Sequence, residues 1–534
     1  MLDDRTVRLS FSAAGTLGDL GKTQLEISSP GHLDLKADAA AKNLLDANRM
    51  EASARFEGDF RDLAFLKALL PDTALRRRVA IPALIRLRGS AGADRGTFST
   101  ASTLSADGGE LSVKGRFNPR EQSYDAAIRA DSFPLNSFLP ADSLGIVDLA
   151  LQARGTGFDP LLPRTRTSLR AQIGRAEFGG RDFGGIELDA ELDSQRLSGR
   201  ISDRDEALRL LLSVSGTLTE REQRIGLSGS VFGFDLAALG VSPEPIGGSF
   251  ALDASASAAG KGAYAARIAL DSIEIRNKHR TDRIRPTSVS LHTDSAATRA
   301  EAASGDLSLT FSTPQSADSL IAALTRSART LAGQIDAQSI DMEQLKPALP
   351  DFALRVSAGP DNILNSLLKS RKIAFDALNA EGVNCDSLPV SIRLRTEGLA
   401  YGNVVLDTVT ADIRQNGKRL EYALGLANAP GNLDNIARAG LYGHLVRNTG
   451  QANLYQRNRA GREGFRFGLD VTWTDSLVRA SVTPPDPLFG FEPWTVNRGN
   501  YLAYRFDKRV EADLDMTHGD QRFATVSYTH LRAH

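Results

Sequence analysis

Along most of the chain, apolar and polar residues alternate in short runs closed by Gly, Asn, Asp or Ser. A period of two places successive side chains on opposite faces of a strand, so the pattern predicts strands with one apolar and one polar face. The clearest runs are Leu33–Ala37, Leu111–Phe117, Val147–Ala153, Ile186–Leu192, Phe250–Ala254, Leu307–Phe311 and Ile392–Leu394. Tight reversals are predicted at Asp107-Gly108-Gly109, Gly179-Gly180, Gly184-Gly185, Gly247-Gly248 and Asn416-Gly417, where glycine supplies a positive φ. Strands spaced this closely pair antiparallel, because a parallel crossover needs a dozen or more residues.

A weak repeat overlays the alternation: a strand, a short amphipathic turn often ending at proline, then another strand. It occurs at Ala54–Pro71, Ala127–Pro140, Leu227–Pro243 and Gly333–Pro350. Apolar residues such as Phe133, Leu135, Phe138 and Leu139 could close one side of a sheet with a single helical turn; unrelated helical connections are the competing account. Two longer helices are predicted. Ala317–Leu331 carries Leu320, Ile321, Leu324, Ala328 and Leu331 on one face. A second starts at Asp361 as N-cap, with Ile363, Leu364, Leu367 and Leu368 aligned likewise. Either could cap an open edge or pack as a satellite helix.

Composition then narrows the class. The chain of 534 residues exceeds what one hydrophobic core usually supports, and its apolar content of 41% includes only 6% aromatics, so an elongated array of repeated units is favoured over a compact enzyme. With 64 Lys plus Arg against 65 Asp plus Glu, the net charge of -1 creates no field that would draw in nucleic acid. The single cysteine, Cys385, excludes an intramolecular disulfide and a cysteine-built metal centre, and reads as a small buried residue. His32, His279, His292, His444 and His518 show no helical metal-site spacing. Phosphate-loop, nucleophile-elbow and dinucleotide fingerprints are absent, so neither catalytic residues nor a cofactor are expected. Asp513 and Asp515, on alternating strand positions, read as a solvated face.

No apolar run approaches the roughly 20 residues that span a bilayer. Met1 leads directly into the alternating segment Thr6–Ser12, which fits either a cytoplasmic protein or an internal methionine with an export segment upstream, and the far end of the chain favours the second. Val526–His534 reads like a translated sequencing-library adapter and is set apart as a non-native tail, leaving 1–525 as one elongated repetitive unit.

One-sided strands must bury their apolar face against something. An array of about 30 strands at ~4.8 Å spacing would run on the order of 100 Å, and twisted sheets of that extent curl. The expected fold is therefore mainly β, a long antiparallel repetitive sheet curled into a groove, with a few short amphipathic helices. Its inner wall is assigned to Leu33, Leu35, Leu111, Val113, Leu149, Leu151, Ile186, Leu188, Phe250, Leu252, Ile268, Leu270, Leu307, Leu309, Ile392 and Leu394, which occupy the apolar phase of their runs. Such a wall suits acyl chains, each buried methylene contributing roughly 0.8 kcal/mol.

The texture of strand, short turn, strand and glycine, as in Asp131–Pro160, resembles the TamB family of translocation and assembly module subunits, within the AsmA-like group of bridge-like lipid transfer proteins. The most specific segment, Gly490–Met516, is similar to Bacteroidetes versions of that family; in it Phe491, Pro493, Trp494 and Asn497 are expected to stabilise a turn and a strand start. The resemblance implies a taco-shaped β-groove in the periplasm, anchored in the inner membrane by an N-terminal segment that this chain lacks. It also implies phospholipid as cargo and an outer-membrane barrel as partner of the full-length protein. A scaffold for outer-membrane protein insertion and a β-solenoid adhesin with a closed core are the competing readings.

Overall fold

The computed structural model describes residues 6–525 except 17, 47, 62–77, 141–143, 261, 279, 429–435 and 485. Among the described residues, 35 strands belong to one antiparallel sheet, three more form a small sheet, and three α-helices are present. The mainly-β antiparallel expectation therefore holds. The chain divides into two compact units, Met1–Gly260 with Ser272–Asp282, and Lys261–Asp271 with Arg283–His534. The expected non-native tail, Val526–His534, lies outside the described residues, as does most of the Ala54–Pro71 turn.

In the first unit the strands pair antiparallel in chain order from Arg8–Gly15 to Gly247–Ala259, except that the short strand Arg181–Phe183 pairs back on Arg166–Phe178, which also pairs with Ile186–Asp193. This meander follows from the turns. Asp107 (φ 45°) and Gly108 (φ 87°) take the left-handed pair of a two-residue hairpin, the twist of which matches that of the flanking strands. Gly247-Gly248 departs from expectation: both residues lie inside the strand Gly247–Ala259, opposite Asp235 and Phe234, and mark a close approach, since a Cβ on Gly248 would meet the Glu274 carbonyl.

A bulge resets the side-chain phase within the strand Ser123–Pro134. Ser132 has φ 47°, and the register jumps from Ala130 to Phe133, so both residues end on the same face. The helical turn Leu135–Ser137 follows, and Phe138 stacks on the buried Phe133 at 5.2 Å. One helical turn thus closes this strand end, as the repeat predicts.

Glycines on the apolar face make room for rings. A Cβ on Gly89 would stand 2.8 Å from the Phe56 ring on the neighbouring strand. Gly89→Val is expected to displace that ring and to destabilise the first unit by about 1–3 kcal/mol, the usual cost of overpacking. A denaturation midpoint equal to that of the unsubstituted protein would show that the Phe56 ring moves without cost.

In the second unit the strands Thr287–Thr293, Thr298–Ser304 and Leu307–Thr313 begin a similar meander that continues through Glu463–Thr474. Two helices, α1 (Ala317–Asp336) and α2 (Met342–Ala348), are inserted between Leu307–Thr313 and Phe352–Ala358. They lie along the turns at one end of the strands: Lys346 donates to the Leu388 carbonyl, Glu343 pairs with Lys418 at 3.1 Å, and Asp341 pairs with Arg447 at 3.3 Å. Helix α1 runs five residues beyond its expected end and is capped by the Ser316 hydroxyl, which accepts from the Ser319 amide.

At the opposite end lies α3 (Ile363–Ser370), whose N-cap is Asn362 and not Asp361. The Asp361 carboxylate instead pairs with Arg285 at 2.7 Å. Two fully buried asparagines fix this helix, Asn362 holding the Asp306 carboxylate and the Gly359 carbonyl while Asn365 holds the Pro360 and Phe375 carbonyls.

Near the C-terminus, Gly490 (φ 60°) and Phe491 (φ 71°) turn the hairpin that pairs Phe489 with Glu492. Trp494 packs edge-on to Phe489, and Asn497 bonds the backbone of Asp515 in both directions. These residues stabilise a turn and a strand start, as their segment suggests.

Candidate functional site

Directly opposed residues of an antiparallel pair project from the same face, so the register traces each face from strand to strand. In the first unit one row runs Phe11, Leu25, Ala37, Phe56, Gly89, Ser102, Val113, Ile128, Leu151, Ala171, Leu188, Ile201, Leu212, Gly229, Leu252. It contains no charge, and its one polar member is a serine. The row one residue along reads Ser12, Gln24, Asp38, Arg55, Ser90, Ala101, Lys114, Ala127, Gln152, Arg170, Asp189, Arg200, Ser213, Ser228, Asp253. It is polar apart from two alanines.

The second unit repeats the division. Ile268, Val289, Ala302, Leu309, Val356, Ala380, Leu394, Ala411, Leu424, Leu441, Leu454 and Phe467 form one row. Beside it, Arg267, Ser290, Glu301, Thr310, Arg355, Glu381, Arg393 and Asp412 point the other way, and over the last four strands this row becomes mixed, as Ala423, Tyr442, Asn453 and Gly468.

The residues assigned to an inner wall fall in these apolar phases. Leu33 and Leu35 share the face of Ala37, Leu111 that of Val113, Leu149 that of Leu151, Ile186 that of Leu188, and Phe250 that of Leu252. In the second unit Leu270 accompanies Ile268, Leu307 accompanies Leu309, and Ile392 accompanies Leu394. The register brings each set together within its own unit.

Charge enters the apolar phase away from these two rows, at Asp203 and Asp407 among the described residues. Asp203, opposite Leu210 at the end of Arg196–Arg204, is the instance in the phase of Leu188 and Ile201; its carboxylate accepts from the Asp205 amide at 2.9 Å, and burial pushes its pKa above the ordinary value. The polar face is held differently, by cross-strand ion pairs such as Arg170–Asp189 at 2.6 Å and Arg154–Asp125 at 2.7 Å. These are solvated pairs that organise the surface more than they stabilise it.

The apolar face is incompletely covered. Ile268 is 48% exposed, Ile392 43%, Leu424 45% and Leu454 43%, whereas a closed sandwich core would bury such positions almost completely. A depression of about 520 Å³ in the second unit has Arg355, Glu381, Arg393 and Arg414 in its lining, all on the polar phase, so it is no place for an acyl chain. The apolar surface is broad and open, not a local pocket.

Two sequence expectations change here. Cys385, expected to be buried, is half-exposed at the end of Ala377–Cys385, where a hydrogen bond with the Ser387 hydroxyl pulls its thiol pKa below the usual value. Helix α1 turns its apolar stripe outward: Ile321, Leu324 and Leu331 are exposed, while Ala323, Ser327 and Gln334 are buried. The polar contacts decide this, because the Ser327 hydroxyl donates to the Ala348 carbonyl and the Gln334 amide bonds Asp341 in both directions, pinning the small-residue face against α2. Hydrophobic periodicity found the stripe but could not report which way it faces. No protein-family model matches the chain, and neither a curated protein nor a solved structure shows significant similarity to it.

Proposed function

We propose that this chain is a section of a periplasmic bridge-like conduit in which phospholipid acyl chains lie on the apolar face of the sheet while their headgroups stay in water. The observation that carries the reading is the uncharged row continuing from strand to strand in each unit, partly covered in the first and more exposed in the second, with a more polar row one residue away. A hydrocarbon chain can move along such a surface with little change in energy, because every strand offers a similar apolar contact and no charge interrupts it. Catalysis has no place in this reading. The incomplete burial favours an open conduit over a solenoid with a dry core. In the full-length protein the conduit would be anchored in the inner membrane and meet an outer-membrane barrel partner, as part of an envelope-assembly module.

The test is photocrosslinking in the full-length protein from adjacent positions of opposite phase, Leu151 and Gln152 in the first unit and Leu394 and Arg393 in the second. Phospholipid adducts read by mass spectrometry are expected from Leu151 and Leu394 and not from their neighbours. Equal labelling within each pair would remove the basis for a one-faced lipid path.

A further inference from the structure

Several arginines of the polar face are met by carboxylates across strand pairs, as Arg170 by Asp189 at 2.6 Å and Arg355 by Glu381 at 3.4 Å. The hairpin of Arg196–Arg204 and Leu208–Leu218 departs from this pattern. Its polar phase carries Arg196, Arg200, Arg204 and Arg209 and otherwise only serine, threonine and Leu211, with Arg204 directly opposite Arg209. Like charges so opposed destabilise a strand pair. Arg200, Arg204 and Arg209 line a depression of about 490 Å³ together with Ser202, Leu211 and Phe232, and their guanidinium groups have no ion-pair or hydrogen-bond partner among the described residues. Of the three carboxylates in the lining, Asp189 is held by Arg170, Asp203 belongs to the opposite phase, and Glu187 faces the Ser202 hydroxyl at 3.5 Å. Asp205 and Glu206, in the turn after Arg204, lie outside the lining. Two local features shape the wall. Phe232 is the extra residue of a bulge, set between Val231 opposite Leu210 and Gly233 opposite Arg209, and its side chain is 56% exposed. The Arg209 guanidinium lies against the buried Gly233, where a Cβ would stand 3.0 Å from its Nη2.

We propose that this depression binds a phosphate monoester, the phosphoryl oxygens taken by Arg200, Arg204 and Arg209 and the organic group lying on Phe232 and Leu211. Guanidinium forks match phosphate oxygens in both geometry and charge. Three guanidinium charges less the Glu187 carboxylate leave two to neutralise, the charge that a phosphate monoester approaches at neutral pH. Such a ligand also relieves the repulsion between Arg204 and Arg209, for which the hairpin itself supplies no carboxylate. The exposed ring of Phe232 gives the organic group an apolar wall. The inference concerns the polar face and stands apart from the passage of acyl chains along the other.

The experiment is calorimetric titration of the full chain with phenyl phosphate, against inorganic phosphate and phenol. Phenyl phosphate is expected to saturate a single site, inorganic phosphate to bind about tenfold more weakly for want of the ring contact, and phenol not to saturate. Arg204→Gln with Arg209→Gln should lower the affinity for phenyl phosphate by about tenfold or more, since two charge-assisted bonds are lost. Phe232→Ser should bring phenyl phosphate down to the level of inorganic phosphate. These positions are exposed, so circular dichroism of the variants should match that of the unsubstituted chain. Arg154→Gln, at an arginine paired with Asp125 and outside the depression, should bind normally. Flotation with phosphatidylcholine vesicles containing phosphatidate separates the two sources of the phosphate. Flotation that needs Arg204 and Arg209 assigns the site to a lipid headgroup, and binding of phenyl phosphate without flotation assigns it to a soluble ester. The inference is overturned if neither probe binds, or if the double arginine variant binds as the unsubstituted chain does. It is also overturned if Arg154→Gln weakens binding equally, which would leave only a general attraction between charges.

Discussion

Leu151→Asp in the full-length protein is expected to abolish phospholipid transfer, while Gln152→Asp, the next residue, leaves it intact. Leu151 stands between Ile128 on one neighbouring strand and Ala171 on the other, in the middle of the uncharged row. Without lipid an aspartate there still reaches water, because the face is half-exposed, and the strand pairs as before through its backbone. The penalty arises when an acyl chain covers the position and strips the carboxylate of water with no cation opposite it, a cost of several kcal/mol. At about 1.4 kcal/mol per factor of ten, even three such units slow passage by roughly a thousandfold. Gln152 stands between Ala127 and Arg170, so an added carboxylate meets water and a guanidinium. Transfer between donor and acceptor membranes, with membrane-integrity assays in cells, separates the two variants. Equal defects would mean that the face of Leu151 is not where lipid passes.

The second large effect is on stability. Asn365 is fully buried; its side chain donates to the Pro360 and Phe375 carbonyls at 3.1 and 2.8 Å and accepts from the Phe375 amide at 3.3 Å. Asn365→Leu keeps the branched shape, at a larger volume, but removes all three bonds. Each buried backbone group left unpaired costs about 1–3 kcal/mol, so a loss of about 3 kcal/mol or more is expected after local relaxation. Hydrogen exchange followed by mass spectrometry should show the segment 359–376 losing protection while strands of the first unit keep theirs. Unchanged exchange at Phe375 would show that α3 is held without this side chain.

Much of the apolar face was legible in the sequence, because the alternation that marks Leu149 and Leu151 is a property of one strand. The turn chemistry at Asp107 and Gly108 was legible for the same reason, as a positive φ is a local demand. Gly247 and Gly248 look identical on the page, yet they sit in a strand, where the second glycine answers the approach of the Glu274 carbonyl, a contact between residues far apart in the chain. The bulge at Ser132 was hidden as well, since its effect is visible only once Ala130 and Phe133 are seen opposite Leu149 and Val147. Asn362 and Asn365 gave no signal beyond a possible cap, because their partners are assembled by the turn between Gly359 and Phe375.

By itself, then, the sequence determined that the strands are two-faced and antiparallel, because period-two alternation and short glycine turns act within a hairpin and need no distant contact. Only the tertiary structure decided the register that sets Leu151 beside Ile128 and Ala171, and Leu394 beside Ala380 and Ala411. A slip of one residue would have scattered the same leucines over both faces, so continuity of the apolar surface belongs to the pairing and not to any single strand. The outward turn of Ile321, Leu324, Leu331 and Ile335 belongs there too. Periodicity defines a stripe on a helix, but the side it faces depends on what packs behind it, here the Ala348 carbonyl that Ser327 reaches across the loop.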